Sequence, residues 1–141
     1  MKFALFILPS WPEQDTKHQS RAFGEAVEQI QFAEELGFDS VWLAEHHFTR
    51  FGVCPLALPF AHFVAAKTSK IRIGTGVTVV NFHDPIFLAE EAAMLDVLSG
   101  GNLIVGVGEG STKSDFDALG LPFDERRKML EARVQQRVQR Y

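Results

Sequence analysis

The segment Ser40-Val41-Trp42-Leu43-Ala44-Glu45-His46-His47-Phe48-Thr49 (residues 40–49) decides the fold, because an apolar run ends abruptly in an acidic and two imidazole side chains. Residues 40–44 predict a short buried strand. The polar side chains that follow lie at its carboxyl end, the edge at which parallel α/β proteins place their sites. Because adjacent side chains of an extended chain point to opposite faces, we expect only one of His46 and His47 to face a site.

A strand followed by a helical segment occurs four times in the chain. The strands begin near Lys2, Ser40, Ile71 and Leu103, at intervals of roughly 31 to 38 residues. The spacing of apolar residues and the capping signals predict helices over about 20–36, 58–68, 85–98 and 115–119, and a last helix capped by Asp124. Four βα units with right-handed crossovers and a parallel sheet follow from this pattern.

Two architectures accommodate four such units. A doubly wound open sheet closes at this length, whereas a TIM (β/α)8 barrel typically needs about 250 residues, so four units would form only half of it. Polar residues collect after the second, third and fourth strands, and no glycine-rich phosphate turn follows the first strand. Length alone favours the open sheet, whereas these two observations favour a single domain over residues 1–141 that is an α/β half-barrel with parallel strands.

Composition excludes several classes of partner. The chain has 141 residues, 46% of them apolar, and a net charge of −4, so it lacks the basic character that nucleic-acid binding requires. Its apolar runs are shorter than the about 20 residues that span a bilayer, and its first residues lack the features of a signal peptide. The single cysteine, Cys54, forms no internal disulfide, so we expect a cytoplasmic protein that acts on a small molecule.

His46 is the candidate catalytic residue, because an imidazole at a strand end can act as a general base or a hydrogen-bond donor. Glu45, His46, His83 and Asp84 are all metal-ligand types, but their spacing matches no zinc motif. The run Gly106-Val107-Gly108-Glu109-Gly110 is not a dinucleotide fingerprint. Its glycines, like Gly74 and Gly76, are expected to let a flat molecule or a neighbouring backbone approach closely.

Several of these motifs resemble one family. They are Met1-Lys2-Phe3, residues 37–49 including Glu-His-His-Phe-Thr, Phe51-Gly52, Gly74-Thr75, Pro85, Ala89-Glu90, Leu95-Asp96, and Gly101-Asn102-Leu103 leading to Gly106. Together they resemble the N-terminal half of a luciferase-like, flavin-dependent monooxygenase. The resemblance covers nearly the whole chain, and the Glu-His-His-Phe-Thr segment is its most specific part.

The resemblance implies a βα barrel that uses reduced FMN, or less commonly the deazaflavin F420, and O2. By this resemblance His46 falls on the catalytic histidine, and Gly76-Val77 fall where many members have a non-proline cis peptide bond facing the flavin ring. Arg127 falls on an arginine that binds the flavin phosphate. Glu109 stands where the bacterial luciferase pattern has a basic residue, and a carboxylate there would repel the phosphate.

Two functions are therefore expected from the sequence. The first is an oxidoreductase that oxygenates a small organic substrate such as an aldehyde, and the second is a non-catalytic flavin-binding or vestigial protein. In the family the second half of the barrel supplies further contacts. We accordingly expect this chain either to be a fragment or to pair with another copy or another chain that completes the barrel.

Overall fold

The computed structural model describes residues 1–11 and 19–136. Its strands are β1 (Ala4–Ile7), β2 (Ser40–Leu43), β3 (Arg72–Thr75), β4 (Thr78–Val79), β5 (Leu103–Ile104) and β6 (Val107–Gly108). Its α-helices are α1 (Gln19–Glu35), α2 (Ala57–Ala65), α3 (Pro85–Leu98), α4 (Lys113–Leu119) and α5 (Arg126–Gln135), with 3-10 turns at Val80–Phe82 and Phe123–Glu125. The order of elements confirms the predicted succession of βα units.

The main sheet is parallel, with strand order β1-β2-β3-β5. Its register pairs Ala4 with Ser40 and Ser40 with Arg72, so the carboxyl ends of the strands meet at one edge. Among the described residues β1 and β5 each pair with one neighbour only, which leaves the sheet open at both sides. Parallel strands that pair in chain order are the arrangement of a βα barrel, and the open sides agree with the predicted half-barrel.

The third and fourth predicted strands, residues 71–80 and 102–107, are each interrupted. After β3 the Thr75 hydroxyl donates to the Gly106 carbonyl at 2.9 Å and accepts from the Gly106 N–H at 3.1 Å, so a side chain takes the place of the backbone ladder. Pairing resumes beyond this point between β4 and β6. A Cβ on Gly106 would fall on the Thr75 carbonyl oxygen, so this crossing requires glycine.

The core lies between the sheet and the first three helices. Side chains of β2 and β3 meet the apolar faces of α1 and α2, and Leu88 and Leu95 of α3 close one end. Its most deeply buried members include Ile30, Val41, Leu43, Leu58, Val64 and Ile73. On the opposite face of the sheet the Trp42 indole packs on the glycines of β3 and beyond, since a Cβ on Gly74 would lie 2.7 Å from its ring.

Helix boundaries follow local capping in one case and depart from it in another. Asp84 accepts hydrogen bonds from the N–H groups of Ile86 and Phe87 at 2.9 and 3.2 Å, and Pro85 opens α3 as predicted. The prediction that Asp124 caps the last helix was wrong. The chain first makes the 3-10 turn over residues 123–125, so α5 begins at Arg126 and no side chain caps it.

Among residues 1–11 and 19–136, none of the helices combines the length and the apolar character that a membrane span requires.

Candidate functional site

A cavity of about 290 Å³ opens at the carboxyl ends of the strands, where the sequence placed the chemistry. Its walls come from the segment after β2, the break between β3 and β4, and the loop after β6. The lining residues are Glu45, His46, His47, Gly76, Val77, Val79, Phe82, Gly108, Glu109, Gly110, Ser111, Thr112 and Asp115.

Glu45 forms the floor of this cavity, with a side chain that is fully shielded from solvent. Its Oε1 accepts from His47 Nε2 at 3.3 Å, from His83 Nε2 at 3.1 Å and from the Val79 N–H at 3.0 Å. Burial by itself would raise the pKa of Glu45, but the hydrogen bonds from the two histidines and the Val79 N–H lower that pKa to about 2. An ionised carboxylate can only accept, so both histidines carry a proton on Nε2.

His46 lies between these anchored residues and faces the cavity. Its backbone N–H donates to the Cys54 carbonyl at 2.9 Å, and a Cβ on Gly52 would lie 2.8 Å from its ring. Gly52 has a φ of +74°, so both the conformation and the space beside the imidazole favour glycine there. The His46 ring makes no hydrogen bond within the part of the chain that the structure describes, which leaves both ring nitrogens available to a bound molecule.

The expectation that only one of the two histidines faces a site was wrong. Both His46 and His47 line the cavity. Strand β2 ends at Leu43, so the alternation of faces no longer applies at residues 46 and 47, and Phe48 turns the chain with a φ of +52°. The two rings differ in their partners instead, because His47 is hydrogen-bonded to Glu45.

The peptide bond between Gly76 and Val77 is cis, as the resemblance implies. Val77 is 38% exposed and lines the cavity. Gly108 lies directly beside it: a Cβ on Gly108 would lie 2.6 Å from the Val77 Cγ2, so glycine is needed for this side chain to stay in place. The residues expected to admit a flat molecule, Gly76 and Gly108, are thus on one wall beside an apolar side chain.

Glu109 lines the cavity and pairs with a cation, but not with Arg127. Arg126 Nε lies 3.2 Å from Glu109 Oε1, and its guanidinium stacks 4.1 Å from the centre of the Phe123 ring. Arg127 points elsewhere: its side chain is 81% exposed, lies 3.5 Å from Glu131 and is not part of the lining. The geometry brings His46, Gly76, Val77 and Glu109 together and leaves Arg127 outside.

Asn81 connects the two sides of this arrangement. Its Nδ2 donates to the Glu109 carbonyl at 2.8 Å and to the Arg126 carbonyl at 2.7 Å, so one buried amide ties α5 to the loop after β6. Sequence reasoning did not single out Asn81, Arg126 or Asp115. The resemblance assigns the phosphate contact to Arg127, whereas the structure pairs Arg126 with Glu109 and Arg127 with Glu131.

The ligand types considered for a metal are used otherwise. Asp84 caps α3 and His83 donates to Glu45. Over residues 1–11 and 19–136 no group of three or more histidine, cysteine, aspartate or glutamate side chains is arranged to hold a metal ion.

The walls of the cavity suit a flat aromatic ring. Val77, Val79 and Phe82 supply apolar surface, and the glycines allow close approach of the backbone. The charged edge is less favourable to an anion, because Glu109 already pairs with Arg126 and no lysine or arginine is in the lining. The residues present therefore fit the ring of a flavin, and a terminal phosphate would compete with Glu109 for Arg126.

Comparison with known proteins agrees with this geometry. The family model described as luciferase-like monooxygenase matches residues 1–134. The oxygenase component of flavin-dependent trigonelline monooxygenase from Acinetobacter baylyi is 35% identical over 122 residues, which are 84% of this chain and 33% of that protein. The alkanal monooxygenase alpha chain of Photorhabdus luminescens is 34% identical over 131 residues, 93% of this chain and 36% of that protein.

Solved structures give the same result. The monooxygenase RslO1 from Streptomyces bottropensis superimposes with a TM-score of 0.89 at 32% identity, covering 96% of this chain and 41% of that one. The coenzyme F420-dependent tetrahydromethanopterin reductase from Methanopyrus kandleri superimposes with a TM-score of 0.65 at 30% identity, covering 86% and 30%. The chain spans about a third of the length of the curated relatives it matches. It belongs to the luciferase-like monooxygenase family.

Proposed function

We propose that the chain forms the flavin-binding half of a monooxygenase that uses reduced FMN and O2 to oxygenate a small organic substrate such as an aldehyde. The observation that carries this proposal is that the His46 ring, which has no hydrogen-bond partner in the described structure, lines the same cavity as Val77, Gly76 and Gly108. Reduced flavin, when bound, supplies the electrons that activate O2. FMN is favoured over F420 because the trigonelline enzyme is named flavin-dependent, and F420 stays the alternative because the reductase relative uses it.

The chain's own residues then have separate tasks. Val77, Val79 and Phe82 exclude water from one face of the ring, and the cis Gly76-Val77 segment supports that face. His46 donates or accepts a hydrogen bond at the reacting edge, since its ring nitrogens have no competing partner in the described structure. Glu45 holds the segment after β2 against β4 through the Val79 N–H, and it fixes the His47 imidazole next to His46 in the chain.

Two arginines are candidates for the contact with the flavin phosphate. Arg127 is assigned to it by family resemblance, whereas Arg126 lies at the cavity edge and is held by Glu109. We propose that a bound phosphate draws Arg126 away from Glu109. Arg126→Ala should then weaken FMN binding more than riboflavin binding, while Arg127→Ala serves as the matched control. If instead only Arg127→Ala weakens FMN binding more than riboflavin binding, Arg127 makes the phosphate contact and α5 rearranges on binding.

The two open edges of the sheet are expected to pair with further strands. Strands β1 and β5 each present an unpaired edge within the described structure, and Phe6 on the inner face is 57% exposed. We propose that a second copy or another chain, or the remainder of a longer protein, covers this face. We also propose a cytoplasmic location, because Cys54 is a buried free thiol, and small-molecule ligands rather than nucleic acid.

A non-catalytic flavin-binding protein is the second candidate, and the Glu109 carboxylate at the cavity edge favours it. Oxygen consumption with reduced FMN and a long-chain aldehyde separates the two, because a binding protein takes up FMN without substrate-dependent turnover. His46→Ala should abolish such turnover and leave the fold intact.

Flavin binding itself is tested by filling the cavity wall. Gly108→Ala places a methyl group against Val77 and should push that side chain into the space of the ring. Gly24→Ala adds the same methyl group in open space within α1 and is the control. We expect FMN affinity, measured by quenching of flavin fluorescence on the full chain, to fall about tenfold or more for Gly108→Ala only. Equal affinities for both variants would place the flavin elsewhere.

A further inference from the structure

A second cavity, of about 380 Å³, lies beside the first between the segment after β2 and helix α4. The two cavities share His46, His47, Thr112 and Asp115, so these side chains form a common wall. The proposed function uses only the first cavity. A molecule in the second would present one end to His46.

Asp115 is the unexplained group in this wall. The residue is 8% exposed, and its carboxylate makes no hydrogen bond or ion pair with any residue that the structure describes. Other carboxylates nearby are satisfied: Asp117 on the same helix accepts from Lys113 Nζ at 2.7 Å, and Glu109 pairs with Arg126. Its oxygens are not among the fully enclosed polar atoms, so they open onto the cavity, and a carboxylate that faces a cavity with no cation beside it can pair with a bound cation.

The rest of the second cavity complements a cation. Phe48 and Phe51 line it with rings that are 71% and 65% exposed, and a cation is attracted to the faces of such rings. Thr49 and Ser114 add hydroxyl groups, and no lysine or arginine is in its lining. Of the two histidines in its lining, His47 already donates its Nε2–H to Glu45.

We propose that this second cavity binds the organic cation of the substrate, an ammonium or similar group, with Asp115 as its counter-ion and Phe48 and Phe51 around its apolar body. The oxidised carbon of the same molecule then lies toward His46 and the first cavity. The assignment deepens the proposed function by naming a substrate class and rests on it for the reaction. The cation itself binds without any cofactor.

The test compares benzylammonium with benzyl alcohol, which have similar shape and differ in charge. Binding of each to the full chain is measured by NMR titration at about pH 8, where a free imidazole is neutral. Asp115→Asn and Asp117→Asn each remove one negative charge from α4, but Asp117 already pairs with Lys113 and lies outside the lining of the second cavity. We expect the chain to bind benzylammonium about tenfold more tightly than the alcohol, and only Asp115→Asn to abolish this preference.

Equal affinity of the unmodified chain for the two probes, or no binding of benzylammonium, overturns the proposal without recourse to a variant. If both variants lose the preference for benzylammonium over benzyl alcohol, the proposal is overturned as well. The preference would then come from the overall negative charge of α4 and not from a contact with Asp115. FMN titrations of the same samples separate this proposal from the first. A chain that binds FMN but shows no cation preference refutes only the cation site, and the reverse result refutes only the flavin site.

Discussion

Removal of one donor from Glu45 should destabilise the fold by a predictable amount. His83 donates to Glu45 Oε1 from 3.1 Å and does not line the first cavity, so its substitution changes the network without touching a bound molecule. His83→Leu removes the donor and keeps apolar volume. His83→Gln keeps an N–H at about the same reach and is the matched control.

The magnitude follows from the lowered pKa of Glu45. The value falls from 4.5 to about 2, and at about 1.4 kcal/mol per pKa unit the ionised carboxylate contributes on the order of 3 kcal/mol of stability at neutral pH. Its donors are two imidazoles and the Val79 N–H, with a longer contact from the Ala57 N–H at 3.5 Å. Loss of one of the three close donors should therefore lower the free energy of unfolding by about 1 to 2 kcal/mol.

The stability that ionised Glu45 contributes depends on pH in a definite direction. A carboxyl group whose pKa is lowered on folding contributes stability above its unfolded pKa, and this contribution is lost as the pH falls toward the folded value. The stability that depends on ionised Glu45 is thus present above about pH 4.5 and is lost between about pH 4.5 and about pH 2. The difference between His83→Leu and the unmodified chain should shrink over that range.

Urea unfolding followed by tryptophan fluorescence measures both quantities. We expect His83→Leu to lose about 1 to 2 kcal/mol at pH 7 and His83→Gln to lose less than half as much. Equal losses for the two variants would show that packing, not donation to Glu45, sets the effect. A difference that persists unchanged at the acidic end would refute the assignment of the charge to Glu45.

Two further predictions concern contacts that hold the barrel segments together. Glu34 Oε1 accepts hydrogen bonds from the N–H groups of residues 69–71 at 2.6 to 2.9 Å, and these bonds lower the pKa of Glu34. Glu34→Ala should therefore lower the free energy of unfolding in urea by about 1 to 2 kcal/mol at neutral pH, while Glu35→Ala, at an exposed position, changes it little. Similar losses for both variants would contradict a stabilising role for this contact. Gly106→Ala should lower the melting temperature by about 10 °C, because the added methyl group meets the Thr75 carbonyl oxygen. Gly24→Ala, which adds a methyl group in open space, should leave the melting temperature nearly unchanged. An unchanged melting temperature for Gly106→Ala would contradict the close approach of Gly106 to Thr75.

The features that the sequence predicts well are local. The Asp84-Pro85 pair marks the start of α3 to the residue, because the cap and the proline act on neighbouring backbone groups. Strand β2 and the polar segment after it are equally evident, since a contiguous apolar run meets contiguous polar residues. These elements are enough to place His46 at a strand end.

The features that the sequence does not predict depend on distant partners. Glu45 and His83 are 38 positions apart, and nothing in their neighbourhoods indicates that one will donate to the other. The interruption of β3 depends on the Thr75 hydroxyl meeting Gly106, 31 positions away. The lack of a partner for Asp115 can be recognised only once every neighbouring donor has been placed.

The most direct test of the central claim, that this half-barrel binds flavin against Val77 and His46, is an NMR titration of the isotope-labelled full chain with FMN. We predict saturable shifts of the Val77 methyl groups and the His46 ring with a single affinity, while the methyl groups of Val64, fully buried behind the sheet, stay unchanged. Saturable binding that leaves both Val77 and His46 unshifted would contradict the account.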